Sequence, residues 1–67
     1  MKELSQEQIP KGFKYAAVNK NTTAFISTHK PTLNTKNECW TTKKGRVHYI
    51  GTDYNNTEWN KKILKKN

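Results

Sequence analysis

The side chains that most often carry chemistry are few in this chain and lie far apart. It has two histidines, His29 and His48, and one cysteine, Cys39. Covalent catalysis needs a nucleophile, a base that activates it and a group that orients the base. No such partner is identifiable here, so we interpret His29 as a solvated loop residue, His48 as a strand surface residue and Cys39 as a small buried hydrophobe.

The acidic residues and the glycines provide no other reactive site. The histidines and the cysteine do not have the spacing of a zinc motif. The glycines are isolated, which argues against a phosphate-binding loop, and the five carboxylates form no close pair in the expected fold: Glu3, Glu7, Glu38, Asp53 and Glu58. We therefore predict a protein that is not an enzyme and that needs no metal and no cofactor.

Positive charge is the dominant feature of the composition. Thirteen lysines and arginines against five aspartates and glutamates give a formal net charge of +8. Such a charge suits nucleic acids or acidic protein surfaces as partners. Arg46 is the single arginine, and asparagine and threonine are abundant, a mixture that A/T-rich coding alone would produce. The charge therefore has a functional and a compositional interpretation.

The candidate binding residues are basic and aromatic side chains along the expected elements. A sheet that interleaves them can hold phosphates and stack bases, although aromatic residues also form the core of so small a domain. The candidates are Lys43, Lys44 and Arg46 at an expected hairpin tip, Lys61, Lys62, Lys65 and Lys66 on an expected helix, and Lys14, Tyr15 and Tyr49 on strands.

The sequence indicates a cytoplasmic protein without a membrane partner. The first eight residues are polar and lack the apolar stretch of a secretory signal. No run approaches the roughly 18 apolar residues of a membrane span. A single cysteine allows no intramolecular disulfide, which is compatible with a reducing compartment.

The secondary-structure elements that would position these residues belong to one small domain with a thin core. We expect a polar, flexible N-terminus over residues 1–9 and a single β-rich domain over residues 10–67. The first hairpin pairs residues 13–18 with residues 23–28 through an Asn-rich turn. Because small scaffolds need support, a homo-oligomer is a further expectation.

The second half of the chain predicts another hairpin and a helix. Residues 38–42 and 46–50 flank a short glycine-containing connection, and residues 29–37 before them are expected to be a loop. Trp59 and Ile63 are spaced to share one side of a short basic helix capped by Asn56 or Thr57. The predicted fold class is α+β, a small antiparallel β-meander of about four strands in two hairpins with one short C-terminal helix.

One stretch resembles a known group of proteins. Residues 10–20 read Pro-Lys-Gly-Phe-Lys-Tyr-Ala-Ala-Val-Asn-Lys and are followed by Phe25, by a Lys-Pro-Thr-Leu-Asn step at residues 30–34 and by Trp40. This pattern, over roughly residues 10 to 51, resembles small uncharacterised bacteriophage proteins. The resemblance implies an accessory protein that, in the cytoplasm of an infected bacterium, binds and modulates or inhibits a host protein or a host defence component.

Two alternative functions remain open from the sequence. One is nonspecific nucleic-acid binding through a surface of lysines and aromatic residues, with an affinity that falls steeply with salt. The other is a sponge for a small anionic nucleotide signal, held in a basic pocket at an oligomer interface. Sequence-reading DNA recognition is disfavoured, because it relies on arginine and this chain has only Arg46.

Overall fold

The chain folds into two antiparallel sheets. A computed structural model describes residues 1–66 and begins with a 3₁₀ turn at Gln6–Gln8. The strands are β1 (Tyr15–Val18), β2 (Ala24–Ser27), β3 (Thr32–Asn34), β4 (Cys39–Thr41), β5 (Val47–Gly51) and β6 (Leu64–Lys65). One sheet has the order β5-β2-β1-β6, and β3 pairs with β4 in the other. The antiparallel β-meander is confirmed, whereas the α part of the predicted α+β class is not.

The first hairpin confirms its prediction. Tyr15 lies opposite Ser27 and Val18 opposite Ala24. The left-handed residue of the turn is Thr22, at φ 71°, although asparagine adopts this conformation more readily. A β-branched residue rarely adopts this conformation. Contacts with the chain after β5 hold it there, since Tyr54 N donates to Thr22 O at 3.1 Å and Asp53 N donates to Thr22 Oγ1 at 3.3 Å.

The predicted pairing of residues 38–42 with residues 46–50 is wrong. β4 pairs with β3, which lies in the stretch expected to be a loop, and β5 pairs with β2 of the larger sheet. The connection between β4 and β5 therefore crosses from one sheet to the other. Gly45 has the positive φ expected of a turn glycine, at 80°, but it serves close packing, since a Cβ there would lie 2.1 Å from His29 Nδ1.

The predicted C-terminal helix is wrong as well. Residues 57–61 form turns, and Glu58 has a φ of 58°, a left-handed conformation that a right-handed helix does not contain. The chain then extends into β6, where Leu64 lies opposite Ala16. A helix of this length is marginal in isolation, and pairing with β1 instead supplies the backbone with partners along an otherwise open edge. The sequence periodicity of Trp59 and Ile63 is therefore not the period of a helix.

The core lies on the face of the larger sheet that the N-terminal segment covers. Ile9 is 1% exposed and packs with Ala16 and Ile26. Half-buried apolar side chains surround them, namely Leu4, Phe13, Ile50 and Leu64. The packed part of the domain therefore includes residue 9, before the boundary expected at residue 10. The flexibility of residues 1–9 stays a prediction.

The smaller sheet is fastened to the larger one by Trp40. Its backbone N donates to Oδ1 of the buried Asn19 at 2.8 Å, and its indole Nε1 donates to the carbonyl of Trp59 at 2.8 Å. Trp40 thus bonds through its backbone to the β1–β2 turn and through its indole to the segment before β6. These bonds position β4 beside β5 and so set the cleft described below.

Candidate binding surface at one end of the larger sheet

The strand order gathers basic residues at one end of the larger sheet. At this end Thr28 N donates to Arg46 O at 3.1 Å, Lys14 N donates to Ser27 O at 2.9 Å and Lys66 N donates to Lys14 O at 2.8 Å. With neighbouring strands about 4.8 Å apart, Arg46 on the β5 side and Lys66 on the β6 side are separated by about 14 Å. We call this the basic end, and it comprises Lys14, Lys43, Lys44, Arg46, Lys65 and Lys66.

The opposite end of the sheet carries acidic residues and is closed by hydrogen bonds. Lys2 and Tyr54 form a parallel bridge there, with Lys2 N donating to Asp53 O at 3.0 Å and Asn55 N donating to Lys2 O at 2.7 Å. Three carboxylates lie at or near this end: Asp53, Glu3, which accepts from Asn55, and Glu38, which pairs with Lys20. We call it the sealed end. Because Lys2 and Lys20 lie there as well, its positive and negative charges are mixed, whereas the basic end gathers six positively charged side chains.

The structure does not bring all ten candidate binding residues together. Lys65 and Lys66 lie at the basic end with Lys14 and the 43–46 segment, because β6 pairs with the start of β1. Lys61 and Lys62 do not join them. They lie before β6, and Lys62 borders a small cavity of about 40 Å³ with Glu3 and Trp59. The single basic helix face expected from the sequence therefore does not exist.

A shallow cleft lies at the basic end. It measures about 440 Å³ and is lined by Gly12, Phe13, Lys14, Lys65 and Lys66. The Lys66 ammonium donates to the carbonyl of Ile9 at 2.7 Å, so this lysine has a structural contact. Lys14 and Lys65 are exposed and can neutralise an anionic partner.

The aromatic candidates are exposed to different degrees. Tyr15 is half-buried, whereas Tyr49 is 61% exposed on β5. The Tyr49 ring lies 6.1 Å from the ring of the buried Phe25, in a tilted arrangement. Beside it, an open cleft of about 290 Å³ lies between β5 and β4, with Phe25, Trp40, Val47 and Tyr49 among its lining residues. Sequence reasoning did not find this cleft, because β4 and β5 were expected to be hydrogen-bonded neighbours.

The potentially reactive residues lie apart from one another. His29 and His48 are both exposed, as predicted, whereas Cys39 is half-buried and not buried. Thr28 Oγ1 lies 3.0 Å from His29 Nδ1, but this hydroxyl also accepts a bond from Arg46 N at 2.9 Å and so supports the turn before β5. Across residues 1–66 no three His, Cys, Asp or Glu side chains converge in a way that could hold a metal ion.

Comparisons with protein-family models, curated proteins and solved structures find no match to this chain. In the part of the chain that the structure describes, no helix is both long and apolar enough to span a bilayer. The function is therefore inferred from the geometry of the chain's own residues.

Proposed function

We propose that this chain is a non-enzymatic binding protein whose basic end binds an acidic surface of a host protein and thereby modulates or inhibits it. The single observation that carries the proposal is that six positively charged side chains lie at one end of the larger sheet, whereas lysines and carboxylates are mixed at the other. Such an uneven distribution orients an encounter, because an acidic partner is attracted more strongly to the basic end than to the end of mixed charge. In line with the phage resemblance, the partner is proposed to be a cytoplasmic protein of the infected bacterium.

The composition of the basic end favours this proposal over a purely compositional origin of the lysines. Codon usage would scatter lysines without regard to strand order, yet β6 and the segments directly before β1 and β5 bring theirs to the same end. The carboxylate-bearing residues Glu3, Glu38 and Asp53 lie towards the other end. Charge is thus concentrated where a partner can approach and balanced where the turns are packed.

The exposure of the aromatic residues favours a protein partner over a nucleic acid. Nonspecific binding of single strands relies on several exposed rings that stack on successive bases. Here Tyr49 is the one aromatic residue classed as exposed among residues 1–66, while Phe25 and Tyr54 are buried and the others are half-buried. A single exposed ring beside a lysine cluster suits an acidic protein surface better than a run of bases.

The test is affinity capture from host lysate with a matched pair of charge variants. The tag precedes Met1, because Lys2 lies at the sealed end. One variant carries Lys14→Gln, Arg46→Gln and Lys65→Gln at the basic end. The control carries Lys36→Gln, Lys61→Gln and Lys62→Gln, so that both variants lose three positive charges from the same net charge of +8. A parallel sample is treated with nuclease.

We expect a host protein that is retained by the wild type and by the control, is lost by the basic-end variant and survives nuclease treatment. Equal loss of the host protein from both variants would mean that net charge alone explains the binding, and it would contradict a role for the basic end. Retention that disappears on nuclease treatment, together with a gel shift of DNA or RNA that weakens steeply with salt, would replace this proposal by nucleic-acid binding.

A further inference from the structure

The outer edge of β5 is an open sheet edge. β5 is the longest strand and lies at one side of the order β5-β2-β1-β6. In an antiparallel pair, alternate residues direct their backbone groups towards the neighbouring strand. Arg46 O accepts from Thr28 N, so Arg46 and His48 face β2, and Val47 and Tyr49 turn their N–H and C=O groups outward. Across residues 1–66 no strand pairs with them.

The side chains of the outward-facing residues are unusually exposed as well. Tyr49 is 61% exposed and Val47 is 39% exposed. Both border the cleft of about 290 Å³ that separates β5 from β4, with Trp40 on its other side. A strand added along β5 would therefore gain backbone hydrogen bonds and would place an apolar side chain in this cleft.

The charge beside β5 defines the kind of strand that fits. Lys43, Lys44 and Arg46 are exposed and come directly before Val47, whereas Asp53 follows shortly after the strand ends at Gly51. An antiparallel partner strand would have its C-terminal end beside Arg46. Carboxylates at that end would complement the lysines, and apolar residues further towards its N-terminus would lie beside Tyr49.

A second copy of this chain fits the edge less well. Each copy has a formal charge of +8, so two copies would approach against mutual repulsion. The acidic residues of a copy also lie away from the edge at which they would be needed, since Glu38 already pairs with Lys20 and Glu3 accepts from Asn55.

We infer that the outer edge of β5 is the docking line for an extended acidic segment of the partner protein, which adds to the larger sheet as a fifth strand. This inference rests on the proposed function, since it names the part of the acidic partner that the chain binds. Hydrogen bonds to the backbone of Val47 and Tyr49 hold the segment in place. The basic end and the cleft between β5 and β4 select which segment sequences bind.

The probe is a synthetic peptide of alternating valine and threonine followed by three aspartates, titrated against the full chain with tryptophan fluorescence. Two reference peptides accompany it, one with the three aspartates moved to the N-terminus and one made of aspartate alone. We expect the first peptide to bind about tenfold more tightly than either reference. Hydrogen exchange should slow at the amides of Val47 and Tyr49 and stay unchanged at His48, whose amide already faces β2.

A matched pair of variants removes the backbone donor without removing the strand. Proline is tolerated where the N–H of an edge strand faces solvent, so Val47→Pro deletes one outward donor, while Val47→Thr alters the side chain and retains the donor. We expect Val47→Pro to weaken binding of the first peptide about tenfold and Val47→Thr to weaken it less than threefold. Circular dichroism checks that both variants are folded, and the exchange measurement on the wild type needs no variant.

The outcomes separate this inference from the proposed function. Equal binding of all three peptides, with no protection at Val47 and Tyr49, would overturn strand addition and leave charge-driven binding by the basic end intact. A dimer in sedimentation analysis that Val47→Pro converts to a monomer would show a second copy at the edge and would also overturn it. Loss of host-protein capture by both charge variants alike contradicts the proposed function instead.

Discussion

The two ends of the larger sheet differ in packing: the sealed end is held by hydrogen bonds, and the basic end, the proposed binding surface, is exposed. At the sealed end, side chains and backbone groups of Asn19, Thr22 and Tyr54 are engaged in contacts within the fold. At the basic end, most charged side chains project into solvent, and Lys66 is the exception with its bond to Ile9. A domain of this size has few stabilising interactions. Because the sealed end is closely packed, the domain can tolerate unpaired charge at the basic end.

The largest expected effect is at the sealed end. Tyr54 is 6% exposed, packs with Val18 and Ala24, accepts a bond from Gln8 Nε2 at 3.2 Å and lies under the Lys2 ammonium at 5.2 Å. We expect Tyr54→Ala to lower the free energy of unfolding by about 3–5 kcal/mol, as measured by urea denaturation. A loss below 1 kcal/mol would show that this end does not stabilise the fold.

Asn19→Ala is expected to have the next largest effect. The buried amide oxygen of Asn19 accepts from Trp40 N, and its removal leaves that donor unpaired at the junction of the two sheets. We expect a loss of about 1–3 kcal/mol in the free energy of unfolding. Asn21→Ala is the control, because Asn21 is exposed and accepts only a local bond from Thr23 N, and it should cost clearly less.

Gly45→Ala tests whether any position at the basic end is important for stability. A Cβ at Gly45 would require a left-handed alanine and would lie 2.2 Å from Thr28 Oγ1, whereas Gly12 is also left-handed but has nothing within 4 Å. We expect Gly12→Ala to cost about 1 kcal/mol of unfolding free energy from its backbone alone and Gly45→Ala to cost more. Equal thermal denaturation midpoints would contradict close packing at Gly45.

The smallest effect on stability is expected from the triple variant at the basic end. Lys14, Arg46 and Lys65 expose their side chains, so replacing all three with glutamine should change the free energy of unfolding by less than about 0.5 kcal/mol per site. The same variant is expected to lose its partner. A large loss of stability would mean that these three basic residues hold the fold together, and the contrast between the two ends would then fail.

The parts of the fold that could be predicted are those set by neighbouring residues. The alternation after Phe13 and the turn at residues 19–22 define the first hairpin locally, and the structure confirms it. Pro31 and Asn34 are typical of a loop, yet β3 begins directly after Pro31 and includes Asn34. Its partner β4 is attached to the larger sheet through Trp40. Such a contact joins distant parts of the chain, so patterns among neighbouring residues do not predict it.

The candidate site could also be predicted only in part, for the same reason. Lys14, Arg46, Lys65 and Lys66 were all named from the sequence, but their proximity depends on the order of strands that are distant in the chain. The spacing of Trp59 and Ile63 instead grouped Lys61 and Lys62 with Lys65. Pairing of β6 with β1 decides between these two groupings, and pairing between segments some fifty residues apart is a tertiary event that periodicity does not report.

The pairing of β1 with β6 also has a consequence for how the chain folds. During synthesis β1 has β2 as its partner early, but its other edge stays open until Leu64 and Lys65 have been made. Contacts between residues so distant in sequence slow folding, and an open strand edge during that interval invites association with other chains. The lysines at positions 61, 62, 65 and 66 emerge with that late strand, and their charge opposes such association.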